Sequence, residues 1–282
     1  MLLSRVRTGL LAVAVAVSAM VMSGGGSAVA SDRAYLALGD SVVFGYITHD
    51  VPAYANPANF IGYPDYVGRA LNLSTTNASC AGEASGGFQD LTGNDNGCRF
   101  YRAHWPLHVA YTGTQLAFAT HFLKTHPKTR LVTLGIGAND AFILQRTCTT
   151  QECLLAGLSA MSENVGAILG AIRQAGYEGV LAVVNYYSLD YADPTQVAGT
   201  QLLNHFVTAS AAAHHAIVVD EYTAFGNAAA AAGGHTCFAG LLNGDPSVDL
   251  ACDVHPSQTG QQLLAQTIDN DYFKAISESG NE

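Results

Sequence analysis

Five short runs of strand character, each followed by a stretch with helical spacing, constrain this chain more than any other feature. The runs are residues 35–38, 73–76, 130–134, 179–187 and 216–219. Helical spacing covers 60–73, with Phe60, Tyr63, Val67 and Leu71 on one face, then 112–124, 154–174, 194–213 and a closing stretch at 258–276. Residues 228–232 read as a further helical segment. Residues 80–111, rich in Gly, Asn and Asp, lack periodicity and read as a long loop region. Strands buried on both faces show near-continuous apolar runs, and parallel neighbours need a helical crossover between them. The predicted fold is therefore α/β, a five-stranded parallel sheet with helices on both faces. Neither an internal repeat nor an interdomain linker interrupts it, so residues 31–282 are expected to form one domain. In such sheets chemistry sits beyond the carboxyl ends of the strands.

Composition agrees with deep burial. Hydrophobic residues make up 49% of the 282 and charged residues 12%, which excludes disorder driven by low hydrophobicity and high charge. With 12 Lys+Arg against 22 Asp+Glu, the formal charge is −10. Such a surface repels phosphate backbones, so no nucleic-acid partner is expected.

The N-terminus reads as an address. Arg5 and Arg7 precede an apolar run over 9–22, a Gly/Ser-rich stretch over 23–27, and Ala28-Val29-Ala30, a small-x-small cleavage pattern. Residues 1–30 are expected to be a secretory signal peptide cut after Ala30. The run is shorter than the ~20 apolar residues that a membrane span requires. No Cys follows it to carry a lipid, and no later segment reads as long and apolar enough to span. A secreted protein without a stable membrane anchor is expected.

All six cysteines lie beyond residue 30. An even count in an exported chain reads as disulfides. Pairing sequence neighbours, Cys80–Cys98, Cys148–Cys153 and Cys237–Cys252, closes the shortest loops. Each bridge of that size contributes roughly 2–3 kcal/mol through loop entropy. The rival reading is a metal site on Cys148 and Cys153, but no Cys or His pair supplies a second half.

Three segments carry chemistry. Gly39-Asp40-Ser41 follows the first strand and presents a serine hydroxyl on a sharp turn. It is not the Gly-x-Ser-x-Gly elbow of α/β-hydrolases, because Val43 stands at the second Gly position. Gly137-Ala138-Asn139-Asp140 follows the third strand, and its Asn offers a neutral N–H donor, although Asn and Asp at that place also cap helices. In Asp253-Val254-His255-Pro256, before the last helix, a carboxylate two residues away can orient an imidazole in a stiffened loop. Asp40 and Asp140 are expected to hold their turns by hydrogen bonds. Phe44, Tyr46, Phe88, Trp105 and Phe142 are either ordinary core or the lining of an acyl pocket.

Together these segments resemble the SGNH, or GDSL, hydrolase family. Gly39-Asp40-Ser41-Val42 is similar to its nucleophile block, and Gly137-Ala138-Asn139-Asp140 to its Gly-x-Asn-Asp block. Asp253-Val254-His255-Pro256 is similar to its acid–histidine block. Gly82, in Asn77-Ala78-Ser79-Cys80-Ala81-Gly82-Glu83, matches its central glycine. The four blocks stand in the family's order and span nearly the whole chain beyond residue 30. The resemblance implies a flavodoxin-like three-layer sandwich and an ester hydrolase that needs no metal or organic cofactor. It makes Ser41 the nucleophile, His255 its base, and the N–H groups of Ser41, Gly82 and Asn139 the oxyanion hole. One departure stands out: the family's acid lies three residues before the histidine, where this chain has Cys252. Asp253 is the expected acid, and a backbone carbonyl near Cys252 is the alternative support for the imidazole. The implied substrate is a small-molecule or lipid ester, taken by a monomer. The main reading is a secreted esterase or lipase. A carbohydrate O-acetyl esterase and a phospholipase would use the same machinery, and a silent secreted binding module is the reading from another class.

Overall fold

The structure is a computed structural model, and it describes residues 33–48, 51–244 and 252–279. The expected signal peptide and its cleavage site lie outside these residues. Five strands form one sheet: β1 Ala34–Gly39, β2 Ser74–Asn77, β3 Thr129–Gly135, β4 Val180–Val184 and β5 Ala216–Val219. Every pairing is parallel and the order is β2-β1-β3-β4-β5. The helices are α1 Ser41–Phe44, α2 Tyr63–Ala70, α3 Ser85–Gln89, α4 Cys98–His104 and α5 Gln115–Thr125. They continue as α6 Ala138–Thr147, α7 Gln151–Gln174, α8 Pro194–Thr208, α9 Glu221–Ala229 and α10 Gln258–Ser279.

Alternation along the buried strands gives each sheet face its own core. Leu36, Leu38, Val132, Leu134, Leu181 and Val183 pack against α5, α7 and α8 through Phe122, Leu158, Val165, Ile168 and Val207. Tyr35, Ala37, Leu131, Ala182, Val184 and Val219 pack against α2, α9 and α10 through Tyr63, Val67, Phe225, Leu264 and Ile268. A third, smaller cluster of Phe44, Tyr54, Phe60, Ala81 and Tyr101 lies above the strand ends.

Several boundaries differ from the sequence reading. The 80–111 region is not loop throughout, because it holds α3 and α4. Five and seven residues are too few to show a helical period. α3 is fixed from outside instead, where Asp140 accepts from the Ser85 N–H at 2.9 Å and from its hydroxyl at 2.6 Å. α6 starts at the Gly137-Ala138-Asn139-Asp140 segment, whose Asn and Asp suit a helix start, although no periodic stretch marks its length. The apolar run at 179–187 leaves the sheet after Val184, and Asn185–Ser188 continue as buried coil, held where Asn204 bonds both the N–H and the carbonyl of Tyr186. One expectation about membranes needs correction. α7, with 24 residues, is long and apolar enough to cross a membrane by length and composition. Its apolar side (Leu158, Met161, Val165, Ile168, Leu169, Ile172) is instead buried in the core.

Candidate active site

In the order β2-β1-β3-β4-β5, the chain turns from one side of β1 to the other, so the loops after β1 and β3 diverge. That switch point leaves a crevice at the carboxyl ends, and the chemical segments meet there. Gly39 ends β1 at φ +142°, and a Cβ on it would meet the Gly135 carbonyl oxygen of β3 at 2.0 Å. Only glycine lets the two strand ends lie this close. Gln115 clamps the turn by accepting from the Gly39 N–H at 2.6 Å and donating to its carbonyl at 3.0 Å. Asp40 then caps the four-residue α1, accepting from the Val42 N–H at 2.9 Å, and Ser41 is the first residue of that helix. Asp40 is fully buried and also accepts from Tyr186 Oη at 2.6 Å. Burial pushes its carboxyl up to about 6, against the lowering effect of these bonds.

Ser41 Oγ lies 2.9 Å from His255 Nε2, and His255 Nδ1 lies 2.8 Å from Asp253 Oδ1. The partners are 214 and two residues apart in sequence. The departure from the family spacing therefore does not prevent contact, and a carboxylate stands at Nδ1. Burial alone would raise the Asp253 carboxyl. Its bond to His255, the His255 charge and the Val254 and His255 backbone N–H groups outweigh that and hold it below the ordinary value. The loop is pinned on several sides. Asn243 N donates to the His255 carbonyl at 2.9 Å, Asp253 N to the Asn243 carbonyl at 2.7 Å, and Tyr187 Oη to the Val254 carbonyl at 2.8 Å. The Cys237–Cys252 bridge ties its start, one residue before Asp253. The other bridges are Cys80–Cys98 and Cys148–Cys153, and the described residues contain no free cysteine.

Gly82 follows β2 at φ +84°, and a Cβ there would press at 3.0 Å on the backbone of Asn96, Gly97 and Cys98. Cys80–Cys98 joins the two chain segments that meet at this point. The N–H groups of Ser41 and Gly82 have no hydrogen-bond partner among the described residues. Asn139, the second residue of α6, is buried, and its Oδ1 accepts from Asn96 Nδ2 at 2.7 Å. Asp140 reaches away from its own turn, to Ser85, and so ties α6 to the chain just past Gly82. Glu83 is also buried, next to Gln115, and burial followed by the neighbouring Asp95 raises its carboxyl to about 8.

These groups line a cavity of about 790 Å³ that takes in Ser41, Gly82, Asn139 and His255. Tyr46, Val51, Tyr54, Phe100, Tyr101 and Trp105 form an apolar side, and Phe142, Gln145, Thr195, Thr200 and Leu203 come from α6 and α8. Of the aromatics singled out in the sequence, Tyr46, Trp105 and Phe142 line this cavity, whereas Phe44 and Phe88 are core. Sequence reasoning missed Asn96, Gln115 and Tyr186, single polar residues that belong to no motif, and it gave no role to Glu83, which follows the block's glycine. The arrangement holds a hydroxyl, a base, a carboxylate and unengaged donors beside an apolar cavity, the set that acyl transfer requires.

A model of the GDSL-like lipase/acylhydrolase family matches residues 37–263. No curated protein matches the chain by sequence. Among solved structures, phospholipase A1 from Streptomyces albidoflavus is similar with a TM-score of 0.51 and 18% identity, over 84% of this chain and 98% of that one. An acetylxylan esterase from Geobacillus stearothermophilus is similar with a TM-score of 0.51 and 16% identity, over 86% and 94%. A lipase from a goat rumen metagenome is similar with a TM-score of 0.52 and 17% identity, over 84% and 95%. At these identities the likeness shows a shared fold.

Proposed function

The chain belongs to the GDSL-like lipase/acylhydrolase family and is a carboxylic ester hydrolase, and on that premise we propose a secreted serine esterase or lipase that takes acyl chains longer than acetyl. The observation that carries the catalytic part is the continuous Ser41–His255–Asp253 contact, at 2.9 and 2.8 Å. Ser41 Oγ attacks the ester carbonyl as its proton passes to His255 Nε2. Asp253 holds the ring by Nδ1 and stabilises the imidazolium. The N–H groups of Ser41 and Gly82, with Asn139 Nδ2, receive the developing oxyanion, and such donors are typically worth about 3–4 kcal/mol each in the transition state. His255 then gives its proton to the leaving alcohol. In the second half it takes a proton from water, which attacks the acyl-serine and regenerates Ser41.

Two observations support the finer claims. The apolar side of the cavity includes Val51 and Phe100, which are 68% and 61% exposed at the surface. Burying such surface under an acyl chain yields about 25 cal/mol per Å², a gain that grows with the length of the chain laid on it. The three disulfides suit an oxidising compartment, in keeping with export, removal of residues 1–30 and a mature domain over 31–282. The test is hydrolysis of p-nitrophenyl esters from acetate to palmitate by the exported protein and by Ser41→Ala. The expected result is loss of activity in the variant, a wild-type optimum beyond acetate, and a mature N-terminus at Ser31. Activity that survives in Ser41→Ala refutes the mechanism. Activity on acetate alone refutes the acyl preference and leaves the O-acetyl esterase reading.

A further inference from the structure

Asn139 can stabilise an oxyanion only if its amide points the right way. Its Oδ1 and Nδ2 are nearly equal in shape, and a rotation about the last bond would present an acceptor to the oxyanion instead of a donor. What sets the orientation lies outside all four family blocks. Arg146 Nη2 donates to Asn96 Oδ1 at 2.6 Å, and Asn96 Nδ2 donates to Asn139 Oδ1 at 2.7 Å. A guanidinium carries donors only. The atom of Asn96 that faces Arg146 must therefore be its oxygen, so its NH₂ faces Asn139. The atom of Asn139 that faces Asn96 must in turn be its oxygen. This leaves Asn139 Nδ2 as the free polar atom of a side chain that lines the cavity.

The relay has a fixed frame. Arg146 and Asn139 both stand on α6. Asn96 is held by its own backbone, whose N–H donates to the Gly82 carbonyl at 3.0 Å. It is also held by the Cys80–Cys98 bridge two residues on. One short segment thus supports two of the three oxyanion donors, Gly82 through the backbone and Asn139 through the side chain.

We propose that Asn96 is a positioning residue that fixes the Asn139 amide as an oxyanion donor, with its own orientation set by Arg146. The inference rests on the oxyanion role given to Asn139 above. It predicts an order of effects that packing alone would reverse. Asn96→Asp keeps the size of the side chain and the contact with Arg146, but turns the donor facing Asn139 into an acceptor and so rotates the amide. Asn96→Ala leaves the amide free to choose. Asn96→Asp is therefore the more damaging of the two, although Asn96→Ala removes more atoms.

The experiment is a double-mutant cycle on the ester that the wild type hydrolyses best, with kcat and KM measured for wild type, Asn96→Ala, Asn96→Asp, Asn139→Ala and Asn96→Asp/Asn139→Ala. Thermal unfolding of each reports whether it folds. The expected loss in kcat is about 100-fold for Asn139→Ala and for Asn96→Asp, with KM nearly unchanged and Asn96→Ala in between. In the Asn139→Ala background, Asn96→Asp should cost nothing further. A full additional loss there would mean that the new charge repels the oxyanion directly, and would overturn the relay while leaving Asn139 in its role. Asn96→Ala costing more than Asn96→Asp would overturn it in favour of packing. Unchanged activity in Asn139→Ala would overturn the oxyanion assignment and the relay together.

Discussion

Glu83→Gln should make this protein more stable, and increasingly so as the pH rises. Glu83 is buried beside Gln115, and its carboxyl is raised from 4.5 to about 8, mainly by burial and then by Asp95. Between those two values the unfolded chain has released the proton and the folded chain has kept it. The unfolded state then binds fewer protons, so stability falls with pH across that window. The slope is about 1.4 kcal/mol per pH unit for one group, hence a loss of about 4 kcal/mol between pH 5 and pH 8. Gln keeps an oxygen for the Gln115 amide but does not ionise, so the variant escapes this loss. For a domain of this size 1 kcal/mol moves the midpoint by about 2–4 °C. Thermal or urea unfolding of wild type and variant at intervals from pH 5 to pH 9, with disulfides intact, should show curves that lie close at pH 5 and diverge by about 10 °C by pH 8. A constant difference across the range would refute the reasoning, because it would place Glu83 among ordinary exposed carboxylates.

Two further outcomes follow from the site. Asp253→Asn should lower kcat by about 100-fold or more while KM changes little, since the neutral amide neither fixes the tautomer nor stabilises the imidazolium. A loss below about tenfold in steady-state kinetics would hand the supporting role to a backbone carbonyl. Gly39→Ala should abolish folding or cost more than about 4 kcal/mol, because its Cβ would stand 2.0 Å from the Gly135 oxygen at a φ of +142°. A variant with wild-type urea unfolding would show that the β1–β3 approach is wider than described.

The strands and long helices were legible because their signal is local. β5 occupies the residues read as strand, 216–219, and α7 and α10 begin or end within three residues of the periodic stretches. The pattern of burial that makes them is written every second or every third and fourth residue. α3 and α4 were not legible, since each is too short to show a period and α3 owes its start to Asp140, 55 residues away. The acid was half legible. The sequence places a carboxylate two residues from His255, but whether two residues suffice depends on how the loop bends against Asn243 and Tyr187.

The sequence by itself determined the parallel α/β plan, the order of the four chemical blocks and the residue types they bring. Only the tertiary structure decided how those blocks meet. It set Ser41 against His255 across 214 residues, made Asn96 the neighbour of Asn139 across 43, and buried Glu83 where its carboxyl is raised above the ordinary value. The physical reason is that periodicity records which side of an element faces the core. Hydrogen bonds between loops depend instead on where the ends of different strands converge, and the order of strands in the sheet sets that convergence.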